Sequence, residues 1–193
     1  MKAGVDEAGR GALAGPVVAA AVMLSPDEAI DGLADSKRLS ARRRSQLASE
    51  IRARALAWAV VEIGADIIDE INILQASFRA MDEALSQLAL SPSEVLVDGN
   101  VVPQWRWPAR AIVGGDGIEP SIMAASILAK VHRDHRMEAL DAVHPGYGFA
   151  GHKGYPTAAH REALMRLGAC AVHRRSYAPV RRCVALRAEA VST

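Results

Sequence analysis

Short apolar runs alternate with longer amphipathic segments along the chain, and this alternation predicts an α/β fold, a sheet with helical crossovers. Val17–Leu24 is apolar at every position, which is typical of a strand buried on both faces of a sheet. Four other short runs complete the set of five predicted strands: Ala3–Val5, Leu56–Ile63, Val95–Val97 and Ala111–Val113.

The segments between the first strands have helical periodicity. Ser40 is a residue type that caps helices, and it predicts a helix through about Arg54 with Leu47 and Ile51 facing inward. After Gly64, apolar residues at alternating steps of four and three predict a helix. Its apolar stripe is expected to belong to the core and consists of Leu74, Phe78, Met81, Leu85 and Leu88.

Ser121 predicts the start of a long helix that ends at about Val143. Its first half is apolar nearly all round and is expected to pack against the sheet. Its second half, from His132 to Arg136, is polar and is expected to leave the core. Pro156 predicts the start of another helix, and a basic tail follows it.

Composition restricts the class of protein. With 193 residues, of which 50% are hydrophobic and 23% charged, the chain fits one globular domain. Cys170 and Cys183 cannot form a disulfide framework, and neither the cysteines nor the histidines have zinc-ligand spacing. Ala12–Leu24 is too short to cross a bilayer, and the acidic residues before it are unlike those of a signal peptide. The protein is therefore expected in the cytoplasm.

The formal net charge is only +1, but the basic residues are unevenly placed. Residues 37–54 hold seven Lys and Arg against one acid, and residues 151–187 hold eight against one. The rest of the chain holds 20 acids and 8 bases. An acidic body with two basic segments suits a polyanion held at its flanks, although solvated basic helix faces give the same pattern.

Candidate chemistry concentrates in residues 3–11, where an apolar run ends in Asp6 and Glu7. Neighbouring side chains on a strand point to opposite faces, so these carboxylates share a site only if the strand ends or bends there. Gly9 and Gly11 supply the freedom to bend. One alternative is a solvated polar turn. Another is a dinucleotide-binding loop, but the glycine spacing is one residue too long and the acids would repel a pyrophosphate.

Two further predicted strands are also followed by carboxylates, Asp98 after Val97 and Asp116 after Val113. In open sheets with helical crossovers, sites lie beyond the carboxyl ends of the strands, so the acids are expected to converge there. Their repulsion requires cations, and hard oxygen ligands favour Mg²⁺ or Mn²⁺. Two such ions about 4 Å apart are the usual arrangement for in-line displacement at phosphorus. The pattern therefore predicts a two-metal centre for phosphoryl chemistry.

A series of motifs resembles the type 2 ribonuclease H family, ribonuclease HII. The matching stretches are Gly4–Gly11, Asp35–Ser40, Ile71–Leu74, Val97–Asn100, Gly115–Asp116, Ala124–Val131, His152–Thr157 and His173–Ser176. Because they follow the family's order from about residue 3 to residue 182, the resemblance is highly specific.

The resemblance implies a ribonuclease H-like fold, a mixed five-stranded sheet flanked by helices. It implies a single catalytic domain over residues 1–193, with a basic helical C-terminal extension from about residue 144. The expected activity is endonucleolytic cutting of RNA in RNA–DNA hybrids and nicking 5′ of single ribonucleotides in duplex DNA. The products would carry 3′-hydroxyl and 5′-phosphate ends. A monomeric state and a role in ribonucleotide excision repair are further expectations from the family.

Carried over by position, the resemblance assigns roles to individual residues. The acids that would catalyse and would bind two Mg²⁺ or Mn²⁺ ions are Asp6, Glu7, Asp98 and Asp116. Gly9, Arg10 and Gly11 would read the ribose 2′-hydroxyl, largely through main chain. Tyr155 would stack on the sugar at the DNA side of the junction, and Lys37 would contact phosphate.

The sequence departs from the family pattern at Gly114 and Val101, where relatives often carry a basic residue, so a phosphate contact is expected to be absent. The first strand also begins almost at Met1, which implies that the usual short leader is missing or that the start lies upstream. An alternative function on the same fold is a non-catalytic module that binds hybrid duplexes. The intact acidic set favours the enzyme, because a binder gains nothing from repelling carboxylates that face a polyanion.

Overall fold

The structure, a computed structural model, describes residues 1–191. Its strands are β1 (Lys2–Ala8), β2 (Val17–Met23), β3 (Ala57–Ile63), β4 (Glu94–Asp98) and β5 (Ala109–Ile112). Its helices are α1 (Ala41–Arg54), α2 (Ala65–Ser86), α3 (Gly115–Ile118), α4 (Pro120–Val143), α5 (Phe149–His152), α6 (Ala158–Leu167) and α7 (Ala178–Val191). The five predicted strands and the helical C-terminal part are confirmed.

The strands form one mixed sheet in the order β3-β2-β1-β4-β5. The central strand β1 is antiparallel to β2 and parallel to β4, and β4 is parallel to β5. The mixed five-stranded sheet implied by the family resemblance is therefore confirmed. Because β1, β4 and β5 run in one direction, their carboxyl ends lie at the same edge of the sheet.

The chain divides into two compact units. The first comprises Met1–Ala8, Val18–Glu62 and Ser77–His132. Its core lies against β2, whose seven residues are all buried, as the uninterrupted apolar run predicts. In that core, β2 packs with Leu47 and Ile51 of α1 and with the apolar first half of α4. Ser40 caps α1 as predicted, its side chain accepting the N–H of Arg43 at 3.2 Å.

The start of α4 lies directly against the central strand. Gly4 of β1 faces the main chain of Ser121 and Ile122, and a Cβ at Gly4 would overlap it. Asp6 is two residues further along β1 and therefore on the same face as Gly4. This close approach allows a carboxylate on β1 to reach a side chain of α4.

The second unit comprises Gly9–Val17, Ile63–Ala76 and the described chain from Arg133 onward. One of its apolar clusters joins Ala14 and Met137 to the rings of Tyr147 and Phe149. A second cluster is formed by Leu13, Leu164, Val180 and Cys183. The loop of residues 9–17 therefore contributes side chains to the core of this unit.

The apolar stripe predicted for α2 is wrong at both ends, since Leu74 is exposed and Leu88 lies beyond the end of the helix at Ser86. Leu74 is 39% exposed, because α2 is interrupted at Asn72 and Leu74 lies in the first turn of a new helical segment. The Asn72 side chain caps that segment by accepting the N–H groups of Leu74 and Gln75 at 3.0 and 3.1 Å. Further along the helix, Met81 and Leu85 are buried as predicted.

The expectation that the second half of α4 leaves the core is wrong at Arg133, which is 0% exposed. Burial of its guanidinium is tolerated because main-chain carbonyls accept its hydrogen bonds. Helical periodicity does not reveal these carbonyls, because they belong to other segments of the chain. None of the helices in residues 1–191 combines the length and the apolar character that crossing a bilayer requires.

Candidate metal centre

The structure brings three of the four predicted acids together in the first unit. Asp6 lies on β1, Asp98 is the last residue of β4, and Asp116 lies in α3, just after β5. One carboxylate oxygen from each of the three lies within 4.8 Å of the others. The convergence follows from the parallel arrangement of these strands, as predicted from the sequence.

Asp6 is buried, with 6% of the residue exposed. Its carboxylate accepts the N–H of Glu7 at 2.7 Å and a hydrogen bond from the side chain of Ser126. Burial raises the pKa of Asp6 well above its ordinary value, and the charges of Glu7 and Asp98 raise it further. The ionised form of this carboxylate therefore needs a nearby positive charge.

Asp98 and Asp116 are held together by the turn that leads into α3. The main-chain N–H of Asp116 donates to the Asp98 carboxylate at 3.2 Å. Gly114 precedes this turn with a φ of 67°, a conformation that favours glycine. The pKa of Asp98 is raised, first by burial and also by the negative charge of Asp116.

This donor set fits a hard divalent cation. Three carboxylates supply oxygen ligands of the kind that Mg²⁺ and Mn²⁺ prefer. Two of them, Asp6 and Asp98, have pKa values raised by burial and by neighbouring carboxylates, and a cation placed among the three would relieve both effects. The chain's own residues therefore favour metal binding at this edge of the sheet.

Lys37 supplies one positive charge at this site. Its ammonium group lies 2.9 Å from the Asp116 carboxylate, and its side chain is 77% exposed. The hydrogen bond to Asp116 raises the pKa of Lys37, so the side chain is a cation at neutral pH. An exposed lysine on one edge of the acidic group has the reach to meet a phosphate there.

Two buried serines near Asp6, Ser36 and Ser126, had no definite role in the interpretation of the sequence. The Ser36 and Ser126 hydroxyls lie 2.9 Å apart, and these residues are 3% and 5% exposed. Ser126 also hydrogen-bonds to Asp6, so it links the loop before α1 to the buried carboxylate. The sequence feature that could have identified Ser126 is a serine in an alanine-rich helix. Such a serine is equally consistent with helix packing and with a hydrogen bond to the site.

Ser126→Ala is expected to lower kcat about tenfold, because the Asp6 carboxylate loses a hydrogen bond worth about 1.4 kcal/mol. The measurement is steady-state nicking of a duplex with one ribonucleotide. Ser45→Ala is a matched control, since the Ser45 hydroxyl donates to a carbonyl of its own helix, that of Ala41, at 3.1 Å. Equal kcat for Ser126→Ala and Ser45→Ala would contradict this role.

Glu7 is not among the three clustered acids. It follows Asp6 on a strand that continues to Ala8, where adjacent side chains point to opposite faces. Its negative charge nevertheless raises the pKa of Asp6, so the two carboxylates are close enough to interact. Its role as a metal ligand stays a prediction.

Four of the predicted substrate-binding residues belong to the second unit. Gly9 has a φ of 97°, which produces the predicted bend after β1. A Cβ on Gly11 would lie 4.0 Å from the Tyr155 ring, so the glycine-rich loop and the tyrosine are neighbours within this unit. Arg10 is exposed on the same loop. These positions suit contact with a ligand, and their roles stay predictions.

Comparisons with known proteins agree with this geometry. The sequence matches the family model for Ribonuclease HII over residues 3–180. It is 60% identical to Ribonuclease HII of Azoarcus sp. (strain BH72) over 178 residues, covering 92% of this chain and 87% of that protein. It is 57% identical to Ribonuclease HII of Laribacter hongkongensis (strain HLHK9), covering 97% and 96% respectively.

The fold is similar to the crystal structure of the ribonuclease H2 from Pyrococcus horikoshii OT3. The TM-score is 0.79 at 27% identity, covering 94% of this chain and 96% of that one. The family match covers nearly the whole chain, and the matched region contains the three clustered acids, Asp6, Asp98 and Asp116. The chain therefore belongs to the ribonuclease HII family and is a divalent-metal-dependent endonuclease.

Proposed function

We propose that the protein cuts the RNA strand of RNA–DNA hybrids and nicks duplex DNA on the 5′ side of single embedded ribonucleotides. The reaction is hydrolysis of a phosphodiester to leave 3′-hydroxyl and 5′-phosphate ends. The observation that carries the proposal is the group of three carboxylates within 4.8 Å in a chain of this family. We also propose a single catalytic domain over residues 1–193, with a basic helical extension from about residue 144.

The catalytic step depends on residues that hold cations beside the scissile phosphate. Asp6, Glu7, Asp98 and Asp116 are the proposed ligands, with Asp6 held in place by Ser126 and Asp98 by the main chain of Asp116. When bound, a pair of Mg²⁺ or Mn²⁺ ions supplies an activated water and stabilises the leaving oxygen. Ligands whose orientation is fixed before substrate arrives avoid a reorganisation cost during the reaction.

Recognition of the ribonucleotide is proposed to lie in the second unit. A 2′-hydroxyl is the local difference between RNA and DNA, and main-chain groups of Gly9, Arg10 and Gly11 are the proposed partners for it. Tyr155 is proposed to pack on the neighbouring deoxyribose, where an extra hydroxyl would clash. The short distance between Gly11 and the Tyr155 ring supports a joint role.

A non-catalytic hybrid-binding module is the second candidate function. It is disfavoured by Asp6, a buried carboxylate with a raised pKa, because such a group destabilises the fold and repels nucleic acid unless a cation is bound.

The test that separates the two candidates is divalent-dependent nicking of a duplex with one embedded ribonucleotide. We expect cleavage on the 5′ side of the ribonucleotide and none in EDTA, with an all-DNA duplex of the same sequence as the control. Binding without cleavage at saturating Mg²⁺ and at saturating Mn²⁺ would favour the non-catalytic module.

Lys37→Met is expected to raise KM about tenfold and to reduce the slope of log affinity against log salt by about one, because one phosphate contact is removed. The measurement is KM over a range of KCl concentrations. Arg38→Met is the matched control, since Arg38 is the exposed neighbour of Lys37 in the sequence. An unchanged salt slope for Lys37→Met would argue against the phosphate contact.

A further inference from the structure

Two fully buried arginines lie beside the loop of residues 9–17, and the proposed function does not account for them. Arg133 lies in α4 and Arg174 lies between α6 and α7, and each is 0% exposed. Both belong to the second unit, as does the loop. Buried guanidinium groups are uncommon because removing the charge from water is costly, and hydrogen bonds must offset that cost.

Arg133 donates its hydrogen bonds to main-chain carbonyls on both sides of the proposed recognition site. Its Nε donates to Pro16 at 3.0 Å and its Nη2 to Ala14 at 3.3 Å, both in the loop. Its Nη1 donates to the carbonyl of Lys153 at 2.9 Å, and its guanidinium carbon lies 5.3 Å from the centre of the Tyr155 ring. One side chain therefore contacts both the loop and the segment that carries the tyrosine.

Gly9 of the loop packs against the side chain of Arg133. A Cβ at Gly9 would overlap the Arg133 side chain, and the φ of 97° is itself unfavourable for other residues. The first glycine of the Gly-Arg-Gly sequence is thus required by Arg133 as well as by the bend in the chain.

Arg174 holds other carbonyls of the same loop. Its Nε donates to Gly15 at 3.1 Å, and its Nη1 donates to the carbonyl of Arg10 at 2.9 Å and to the Tyr177 hydroxyl at 3.0 Å. The Tyr177 hydroxyl in turn donates to the carbonyl of Arg10 at 2.6 Å. The main-chain N–H of Arg174 donates to Leu13 at 2.8 Å.

The two arginines together fix the main chain of the loop at four carbonyls, those of Arg10, Ala14, Gly15 and Pro16. A solvated surface loop satisfies its carbonyls with water, and buried cations are not needed for that purpose. A planar guanidinium with several donors at fixed angles restricts the loop to one geometry, and lysine cannot reproduce this. Such a restriction is useful when main-chain groups of the loop must meet a single hydroxyl.

We propose that Arg133 and Arg174 are positioning residues for ribonucleotide selection, which hold the main chain of residues 9–11 in the geometry that binds one 2′-hydroxyl. They touch no substrate and act through the loop, and Arg133 also sets the distance between the loop and Tyr155. The inference rests on the proposed function, since it assumes that this loop reads the ribose.

The test compares the Kd of two duplexes that differ by one 2′-hydroxyl, an all-DNA duplex and the same duplex with a single ribonucleotide. Binding is measured by fluorescence anisotropy in an Asp6→Asn background, so that cleavage does not interfere. The readout is the ratio of the two Kd values, which a general loss of stability would not change. One well-placed hydrogen bond to the hydroxyl corresponds to a ratio of about ten.

Tyr177→Phe is the mildest variant, since it removes one hydroxyl that bridges Arg174 and Arg10. We expect it to reduce the ratio about threefold, and Arg174→Lys to reduce the ratio to near one, with the Kd for all-DNA duplex unchanged. Tyr147→Phe is the matched control. It also removes a tyrosine hydroxyl that donates to a carbonyl in the second unit, but that carbonyl belongs to Gly168, outside the loop.

The outcomes distinguish the inference from the function on which it rests. A ratio near one in the Asp6→Asn background alone would overturn the recognition role of the loop, and the positioning role with it. A ratio near ten that Tyr177→Phe and Arg174→Lys leave unchanged would overturn the positioning role and leave the proposed function standing. If Arg174→Lys fails to fold, Tyr177→Phe is compared with Tyr147→Phe. A lower ratio in Tyr177→Phe alone supports the positioning role, and equal ratios in the two variants overturn it.

Discussion

Asp6→Asn is expected to lower kcat about 10²- to 10³-fold while leaving the protein as stable as the wild type, or more stable, in the absence of divalent ions. Activity falls because a buried carboxylate at the centre of the acidic group is replaced by a neutral amide. Stability is kept because the pKa of Asp6 is raised by burial and by the charges of Glu7 and Asp98. An ionised Asp6 therefore opposes folding at neutral pH, and the amide removes this unfavourable charge.

Two measurements are made at pH 7.5: steady-state nicking at saturating Mg²⁺ gives kcat, and thermal unfolding in EDTA gives the stability without divalent ions. Asp27→Asn is the matched control, since Asp27 is an exposed acid of the same unit and its replacement is expected to change neither quantity. Full activity of Asp6→Asn would contradict the catalytic assignment. A large loss of stability would show instead that the carboxylate has a structural role.

The second large effect is a loss of stability on acidification, which we assign to His173 in the second unit. Its Nδ1 accepts the N–H of Cys170 at 3.1 Å, and its Nε2 lies 3.2 Å from Nε2 of His160. His160 uses its Nδ1 to donate to the carbonyl of Tyr155 at 3.0 Å, so its Nε2 is an acceptor for His173. A second proton on His173 would have to bind at Nδ1, which already accepts the N–H of Cys170.

Burial, and secondly the neighbouring His160, lower the pKa of His173 from 6.5 to about 4. Between these two values the unfolded chain binds a proton that the folded chain does not. The free energy of unfolding is therefore fully retained above pH 6.5 and falls by about 3 kcal/mol as the pH decreases towards 4. Protonation of Asp6, whose pKa is raised, has the opposite sign, so the contribution of His173 must be measured as a difference from a variant.

The comparison is urea unfolding of the wild type and His173→Gln from pH 7.5 to pH 4.5. We expect the variant to be less stable at neutral pH and to show a much weaker decline on acidification. His135→Gln is the control, because His135 is exposed and its replacement should preserve the decline. A His173 ring resonance that titrates near pH 6.5 by NMR would refute the assignment.

The pattern of apolar and polar residues was sufficient to predict the architecture, because a strand that is buried on both faces is apolar at every position. β2 is apolar at every position and buried at every position. The cap at Ser40 was likewise predictable, since a side chain that accepts a nearby N–H acts within one turn. Leu74 shows where this reasoning fails, because a cap at Asn72 changed the start of the helix and with it the exposed face.

The candidate site was predictable in its acids but not in the contacts that support them. Asp98 and Asp116 were found from their places after apolar runs. Ser126 and its link to Asp6 depend on how closely α4 approaches β1, which is possible only because Gly4 has no side chain. The ion pair of Lys37 with Asp116 also joins segments that lie 79 positions apart in the chain.

The sequence by itself determined the α/β class, the positions of the five strands and of α1, α2, α4 and α6, and the acids that follow three of the strands. These properties depend on neighbouring residues, so local patterns record them. Only the tertiary structure decided which carboxylates share a site, which serine supports Asp6, and that Arg133 and Arg174 are interior residues rather than members of basic surfaces. A buried guanidinium is stable only where hydrogen-bond acceptors surround it. The carbonyls that accept from these two arginines are distant in the sequence and come together only in the folded chain.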